Sequence, residues 1–575
     1  MTDYQSKIQG KVAIVTGAAS GFGKLLVERL LEYNGKVFLV DINPTVEQMS
    51  QTLNQQHPES THWAVCDLCQ TESISLVFDQ AVKHFGQVDI LVNNAGIAND
   101  CSLFSQPDHK ELERIIHLNL CAPMEATRVA TRYFKESKRQ GVVVNTASVG
   151  GLLPISIMES YGTTKAGLIF FTTTCKHLAP HVRVNSVAPY FADTPLVEKN
   201  RMVKSYPLVQ QLGLMSPNKV VWTMLKAICD ERLAGDTLMV AMGAKPERLT
   251  FYDDLTVHVT SYIVNGTVKN TYNMPATAKN DYTSQLQGKV VVVTGAASGF
   301  GKLLSERLVE LNAKVLMVDI NPSVQQVSEA LNNEKENSTH WVACDVCKPE
   351  AIREYFDEAI KHFGHIDIVA NNAGIINKRS LFDQTDHHEL ELLIRLNLFA
   401  PMEATRIAVQ YFKETNRQGV VVNTASVGGL MPVSFMETYG TTKAGLIFFT
   451  ASCKDLAPQV RVNAVAPYFA DTPLVENSPM LNSFPLLLKS GLVTPEKVVE
   501  AMLKAMCDKT MAGDTLMVTV GKKERRITIY DDLTVQLSSY ITSGLIKGRL
   551  SSLGRFLSGL MSRAVRCLRK TPATN

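Results

Sequence analysis

The sequence predicts an α/β protein made of two tandem, doubly wound parallel sheets with helices on both faces. Short β-branched runs alternate with amphipathic stretches of helical length, the pattern left by right-handed βαβ crossovers. Runs such as VAIV and VVVN are almost continuously apolar, as strands buried on both faces are. The whole pattern then occurs twice. IVTGAASGFGKLL at 14–26 returns as VVTGAASGFGKLL at 292–304, and one constant offset carries Thr16 to Thr294, Asp41 to Asp319, Asn94 to Asn372, Tyr161 to Tyr439 and Asp253 to Asp531. A period of that length repeats a complete domain, not a solenoid unit.

In the first copy the elements follow in order. A strand at 12–16 runs into a glycine-rich turn, and an amphipathic helix at 24–33 leads to a second strand at 36–40 that ends in Asp41. Strands follow at 62–65 before Asp67, at 89–92 before Asn93-Asn94-Ala95-Gly96, at 141–145 and at 182–187. Sheets of this kind bind ligands at the carboxyl ends of their strands, and the residues that carry chemistry fall there. The expected division is a domain at 1–264, a polar proline-containing linker at 265–280, a second domain at 281–543 and a tail at 544–575.

Composition limits the function. Hydrophobic residues are 45% and charged residues 20%, and a net charge of +3 is too small to argue for nucleic acid. The first residues hold no apolar run of secretory type and no stretch approaches membrane-spanning length, so the expected setting is cytoplasmic. Eleven cysteines then read as reduced thiols. The pairs Cys66/Cys69 and Cys344/Cys347 are expected to be buried structural thiols, and no metal site is expected.

The turn Gly17-Ala-Ala-Ser20-Gly21-Phe22-Gly23, repeated as Gly295 with Ser298, Gly299, Phe300 and Gly301, lets backbone N–H groups approach a pyrophosphate at a helix N-terminus. Asp41 and Asp319, at the ends of the next strands, can accept hydrogen bonds from a ribose diol. They would repel a 2′-phosphate, and neither Ser20 nor Ile42 (Ile320 in the second copy) supplies a compensating cation. NAD is therefore expected over NADP.

Tyr161 and Lys165 stand at i and i+4, one face of a helix. Ser148 follows the strand at 141–145, and Asn119 lies in the preceding helix. With the glycine turn, Asp67 and Asn93-Asn94-Ala95-Gly96, this series of spacings resembles the short-chain dehydrogenase/reductase family, whose sheet is Rossmann-type. The second copy repeats it with Asp345, Asn371-Asn372-Ala373-Gly374, Asn397, Ser426, Tyr439 and Lys443. Within the family the run HFGQVDILVNNAG looks most like NAD-dependent 15-hydroxyprostaglandin dehydrogenase and its relatives.

The resemblance implies that Asp67, Leu68, Asn94, Ala192 and Thr194 also contact the cofactor, as do Asp345, Val346, Asn372, Ala470 and Thr472. Lys165 and Lys443 would hold the nicotinamide ribose besides acting with the tyrosines. Ser148 and Ser426 would bind the substrate oxygen, Asn119 and Asn397 would support a water-linked proton relay, and the repeats would pack as an internal pseudo-dimer through helices flanking the Ser-Tyr-Lys helix. The chemistry is sound on its own terms. Tyrosine is a weak base near pH 7, with an ordinary pKa of about 10. An ammonium about 4 Å away would favour the phenolate by roughly 4 kcal/mol at an effective dielectric near 20, or about three pH units, before desolvation takes some back.

Two departures stand out. Tyr190 and Tyr468 replace a glycine usual after the strand, and Met158 and Met436 replace the glutamine of the prostaglandin branch, favouring a more apolar pocket wall. The copies differ most at 201–212 against 481–491 and at Trp222 against Glu500, where specificity is expected to reside. From 545 to 570, Leu550, Leu553, Leu557, Leu560, Ala564 and Leu568 recur at helical spacing among basic residues. A helix lying on an anionic membrane is one reading; an extension packed on the folded body, or a disordered basic tail, is the other. The expected function is oxidation of an apolar or lipid-like secondary alcohol with NAD at two sites. The alternatives are a nucleotide-binding scaffold or sensor, and a carbonyl reductase working in reverse.

Overall fold

The computed structural model describes residues 3–200, 203–204, 209–210, 213–242, 245–256, 259–260, 282–476, 491–527 and 530. The linker at 265–280, the tail at 544–575 and Asp531 lie outside them. The first sheet contains β1 (Val12–Thr16), β2 (Lys36–Asp41), β3 (Thr61–Val65), β4 (Ile90–Asn93), β5 (Gly141–Thr146), β6 (Val182–Pro189), β7 (Thr237–Val240) and β8 (Glu247–Leu249). The second contains β9 (Val290–Thr294), β10 (Lys314–Asp319), β11 (Thr339–Ala343), β12 (Ile368–Asn371), β13 (Gly419–Thr424), β14 (Val460–Pro467), β15 (Thr515–Val518) and β16 (Arg525–Ile527).

The strand orders are β3-β2-β1-β4-β5-β6-β7-β8 and β11-β10-β9-β12-β13-β14-β15-β16. The chain reverses its direction of travel across the sheet between β1 and β4, and again between β9 and β12. This opens a crevice at the carboxyl ends of those strands. The sheets are not wholly parallel: β8 and β16 run antiparallel to β7 and β15. These last strands are too short for their patterns to signal a direction. Alternate residues of β1 serve opposite faces, with Ala13 and Val15 in one core and Ile14 in the other. Each core draws residues from both repeats.

The helices that matter for function are α1 (Gly21–Glu32), α2 (Lys110–Ile116), α3 (Ala122–Glu136) and α4 (Glu159–Thr174), with counterparts α5 (Gly299–Glu310), α6 (His388–Ile394), α7 (Ala400–Glu414) and α8 (Glu437–Ser452). Helix α1 starts three residues before the expected position because the glycine turn itself forms its first turn. Its Leu26, Val27, Leu30 and Leu31 face the core.

The repeats are packed together, and α4 lies directly against α8. The approach is close because glycine meets aromatic ring. A Cβ placed on Gly162 would lie 2.7 Å from Phe448 Cε1, and one on Gly440 would lie 2.8 Å from Phe170 Cε1. The seam therefore runs through the Tyr-Lys helices themselves as well as through the flanking α3 and α7. From α3, Arg128 is held by Glu125 (2.6 and 2.7 Å) and donates to Gln384 O at 2.8 Å. From α7, Arg406 mirrors this with Glu403 and donates to Gln106 O at 3.2 Å.

Two carboxyls are buried at this seam. Glu159 accepts from Ser102 Oγ at 2.8 Å and Leu103 N at 3.2 Å, and Glu437 accepts from Ser380 Oγ at 2.9 Å and Leu381 N at 3.2 Å. Burial outweighs these bonds and pushes each carboxyl up to about 7. His177 stands 3.7 Å from Glu437. Its own pKa is lowered, chiefly by burial, so the contact is not a strong ion pair near neutrality.

A carboxyl with a raised folded-state pKa binds its proton more tightly in the fold than in the unfolded chain. Its contribution to stability is fully present below the ordinary glutamate value and falls as pH rises toward about 7. Glu159→Gln with Glu437→Gln should therefore flatten this fall. Denaturant titrations should show the variant equal to the parent near pH 4.5 and more stable at pH 8, by on the order of 1–3 kcal/mol per residue.

Candidate active sites

The glycine turn is shaped by positive backbone angles and close contacts. Gly17 and Gly21 have φ of 65° and 54°, angles at which a side chain would be strained. A Cβ on Gly23 would lie 2.1 Å from Gly17 O. Asn94 fastens the turn to β4: its backbone N donates to Thr16 Oγ1 at 2.9 Å, and its Nδ2 donates to Thr16 O at 3.0 Å. Behind it, Asn93 Nδ2 donates to Asn145 Oδ1 at 2.9 Å, joining β4 to β5. Asn372, Thr294, Asn371 and Asn423 repeat the arrangement.

Asp41 receives Ala19 N and Asn43 N at 2.9 Å each, one on either carboxylate oxygen. Asp319 does the same with Ala297 N at 2.9 Å and Asn321 N at 2.8 Å. The carboxylate thus ties the end of β2 to the glycine turn and keeps lone pairs for a ligand. Ile42 and Ile320 are exposed beside it. Asp67 accepts its own turn's Cys69 N at 2.9 Å, and Asp345 accepts Cys347 N at 3.0 Å. Leu68 is half-buried against the core and Val346 is buried in it.

One cavity per repeat gathers the cluster. In the first it is lined by Gly17, Ser20, Gly21, Phe22 and Asn94 together with Ser148, Tyr161, Lys165, Ala192 and Thr194. In the second, Phe300, Asn372, Ser426, Tyr439, Lys443, Ala470 and Thr472 share a wall. Gly23, Asp41, Ile42, Asp67, Leu68 and Asn119 are off the first wall. Gly295, Ser298, Gly299, Gly301, Asp319, Ile320, Asp345, Val346 and Asn397 are off the second.

Lys165 Nζ donates to Thr146 O, the last carbonyl of β5, at 2.7 Å, and Lys443 Nζ does so to Thr424 O at 2.7 Å. The lysines lie over the tyrosine rings, 5.6 and 5.7 Å from the centroids. In the protein alone, burial raises the pKa of Tyr161 and of Tyr439, opposed by hydrogen bonds with Ser148 and Ser426. Burial also depresses Lys165 to about 8 and Lys443 to about 7. In the protein alone, desolvation of both groups dominates.

Asn119 sits in a π-helical turn, His117–Cys121, and Asn397 in its counterpart, Arg395–Phe399. Asn119 Oδ1 accepts from Ile97 N at 2.9 Å, and its Nδ2 donates to Ile97 O at 2.8 Å. The side chain is thus committed to holding the loop after β4, beside Lys165.

The rest of the cavity wall is apolar. Met158 and Met436 are on it, as are Tyr190 and Tyr468. Neither tyrosine occupies a left-handed conformation, so the position does not require glycine. Leu153, Ile155 and Phe191 were not anticipated; their signal was apolar residues just past the ends of β5 and β6. Trp222 is away from the cavity, packed on Tyr4 and under Arg29. Most of 201–212 and 481–491 lies outside the described residues, although Val203 reaches the first wall. Cys66, Cys69 and Cys344 are half-buried and Cys347 is buried. The pairs follow short strands at the sheet edge, where the core covers all but Cys347 only partly.

A doubly wound sheet with a glycine turn and a Ser-Tyr-Lys cluster at its switch point defines a nucleotide-dependent oxidoreductase class. The chain belongs to the short chain dehydrogenase family, which it matches over residues 11–204 and again over 289–480. It is similar to the 15-hydroxyprostaglandin dehydrogenase [NAD(+)] of Rattus norvegicus, with 31% identity over 265 residues covering 43% of this chain and 96% of the relative. It is also similar to the peroxisomal hydratase-dehydrogenase-epimerase of Saccharomyces cerevisiae, with 24% identity covering 80% of this chain and 55% of that protein. The C-domain of a bacterial malonyl-CoA reductase, solved with NADP, shares the fold across 90% of this chain and 100% of its own, with a TM-score of 0.65 and 14% identity.

Because Gly17 O blocks a side chain at residue 23, Gly23→Ala and Gly301→Ala should each distort one turn. NADH titration followed by fluorescence should then show one high-affinity site lost per substitution, with circular dichroism unchanged.

Proposed function

We propose that each repeat, spanning 1–264 and 281–543, oxidises a secondary alcohol on an apolar molecule with NAD, and that the chain is an internal pseudo-dimer of two such domains. Bound NAD would supply the hydride acceptor. The observation that carries this reading is that Ser148, Tyr161 and Lys165 line one cavity with Gly17, Ser20, Gly21 and Phe22, and that Ser426, Tyr439 and Lys443 line another with Phe300.

Gly17, Ser20, Gly21 and Phe22 would cradle the pyrophosphate, and Asp41 would accept the ribose hydroxyls and repel a 2′-phosphate. Thr194 and Ala192 would meet the nicotinamide end. The second copy would use Gly295, Ser298, Gly299, Phe300, Asp319, Ala470 and Thr472. The Ser148 hydroxyl would hold the substrate oxygen while Tyr161 takes its proton. Lys165, fixed by Thr146 O, would pass that proton outward as the coupled pair titrates. Asn119 would keep the Ile97 loop in place beside it. Run backwards, the same groups protonate a ketone oxygen.

The apolar wall favours a lipid-like substrate, and the walls differ between repeats. Ala98 and Leu153 of the first cavity are replaced by Ile376 and Met431 in the second. Different specificities are supported by these exchanges. In a screen of secondary alcohols with NAD, Tyr161→Phe and Tyr439→Phe should each remove one set of activities, and the double variant should lose at least about 100-fold in kcat. Turnover that survives the double substitution would overturn the tyrosine base.

A further inference from the structure

Each π-turn packs against a short helix of the other repeat, 117–121 on α6 and 395–399 on α2, and there the repeats diverge. On one side Arg395 pairs with Glu113 of the other repeat, donates to Cys347 O at 3.2 Å and lies 5.4 Å over the Phe399 ring. This is a self-contained ion pair with an aromatic lid. On the other side the same two positions are His117 and Cys121, and they face Glu391 of α6. The donor atoms of these three side chains all lie within 4.8 Å of one another. Glu391 is oriented by Thr71 Oγ1, which donates to its Oε1 at 2.5 Å. His387 and His388, one turn earlier at the start of α6, also have nitrogens within 4.8 Å of the same carboxylate. At the mirrored corner the corresponding residues are His109 and Lys110 around Glu113.

We propose that His117, Cys121 and Glu391 form a binding site for a divalent transition-metal ion of the zinc class, shared between the two repeats, with the fourth position left to water. A mixed nitrogen, sulfur and oxygen donor set suits such an ion and is poor for magnesium or calcium. His117 and Cys121 project from one turn, and Cys121 is buried at 1% exposure. Binding would displace the thiol proton of Cys121 to solvent, so affinity rises with pH. Because the ligands come from both repeats, the ion would act as a clamp on the seam. It would stand apart from the cavities that hold Tyr161 and Tyr439.

The test uses the full-length, tag-free chain after chelator treatment. Stepwise addition of cobalt(II) should reach one equivalent with a thiolate-to-metal charge-transfer band, and zinc(II) should abolish that band and raise the Tm. Cys121→Ser should lose the band. So should the pair His117→Arg with Cys121→Phe, which installs residues the second repeat already carries at the same places and so should fold. Glu391→Gln provides an independent reading from the other repeat. No stoichiometric band in the parent would overturn the site. A band that persists in Cys121→Ser would also overturn it, by assigning the metal to other thiols such as Cys66 and Cys69.

Discussion

The structure depends on the packing of α4 against α8. Each of these helices carries the tyrosine and lysine of its own repeat, and each is buried on the outer side by the other repeat. This explains why neither helix is amphipathic. The residues that would face solvent in a single domain face Phe448 or Phe170 across the seam, through Gly162 and Gly440. The position of one tyrosine-lysine pair is therefore set partly by the other repeat, and duplication couples two sites mechanically without merging them.

Burial also sets the electrostatics. It raises Tyr161 and Tyr439, depresses Lys165 and Lys443, and raises Glu159 and Glu437 at the entrance to the same helices. A lysine whose charge is only weakly favoured, hydrogen-bonded to the last carbonyl of a strand, can release or take up a proton near neutrality. That is the property a proton-transfer pair needs. Arg128 and Arg406, each paired with a glutamate of its own helix, also donate to a backbone carbonyl of the opposite repeat, so these buried ion pairs reach across the seam.

Much of this was legible in the sequence. The glycine turn, Asp41, the paired asparagines and the Ser-Tyr-Lys spacing sit where the strand-helix alternation puts them, because strand ends in a doubly wound sheet are fixed by short local patterns. The antiparallel edge strands were not legible, since three or four residues carry no periodicity. The lysine's place over the ring was hidden because its partner, Thr146 O, is a backbone atom. The exclusion of Trp222 from the cavity depends on which face of its helix packs on α1, and the pattern around it does not fix that face. The convergence of His117, Cys121 and Glu391 joins residues from different repeats. Among the described residues no helix is long and apolar enough to cross a membrane, and the basic segment at 545–570 lies outside them.

The proposed function requires two nucleotide sites per chain, one in each repeat. Isothermal titration of the full-length protein with NADH measures this directly. Two equivalents should bind per chain, with the affinity for NADPH much weaker at both. A stoichiometry of one, or of none, would contradict it.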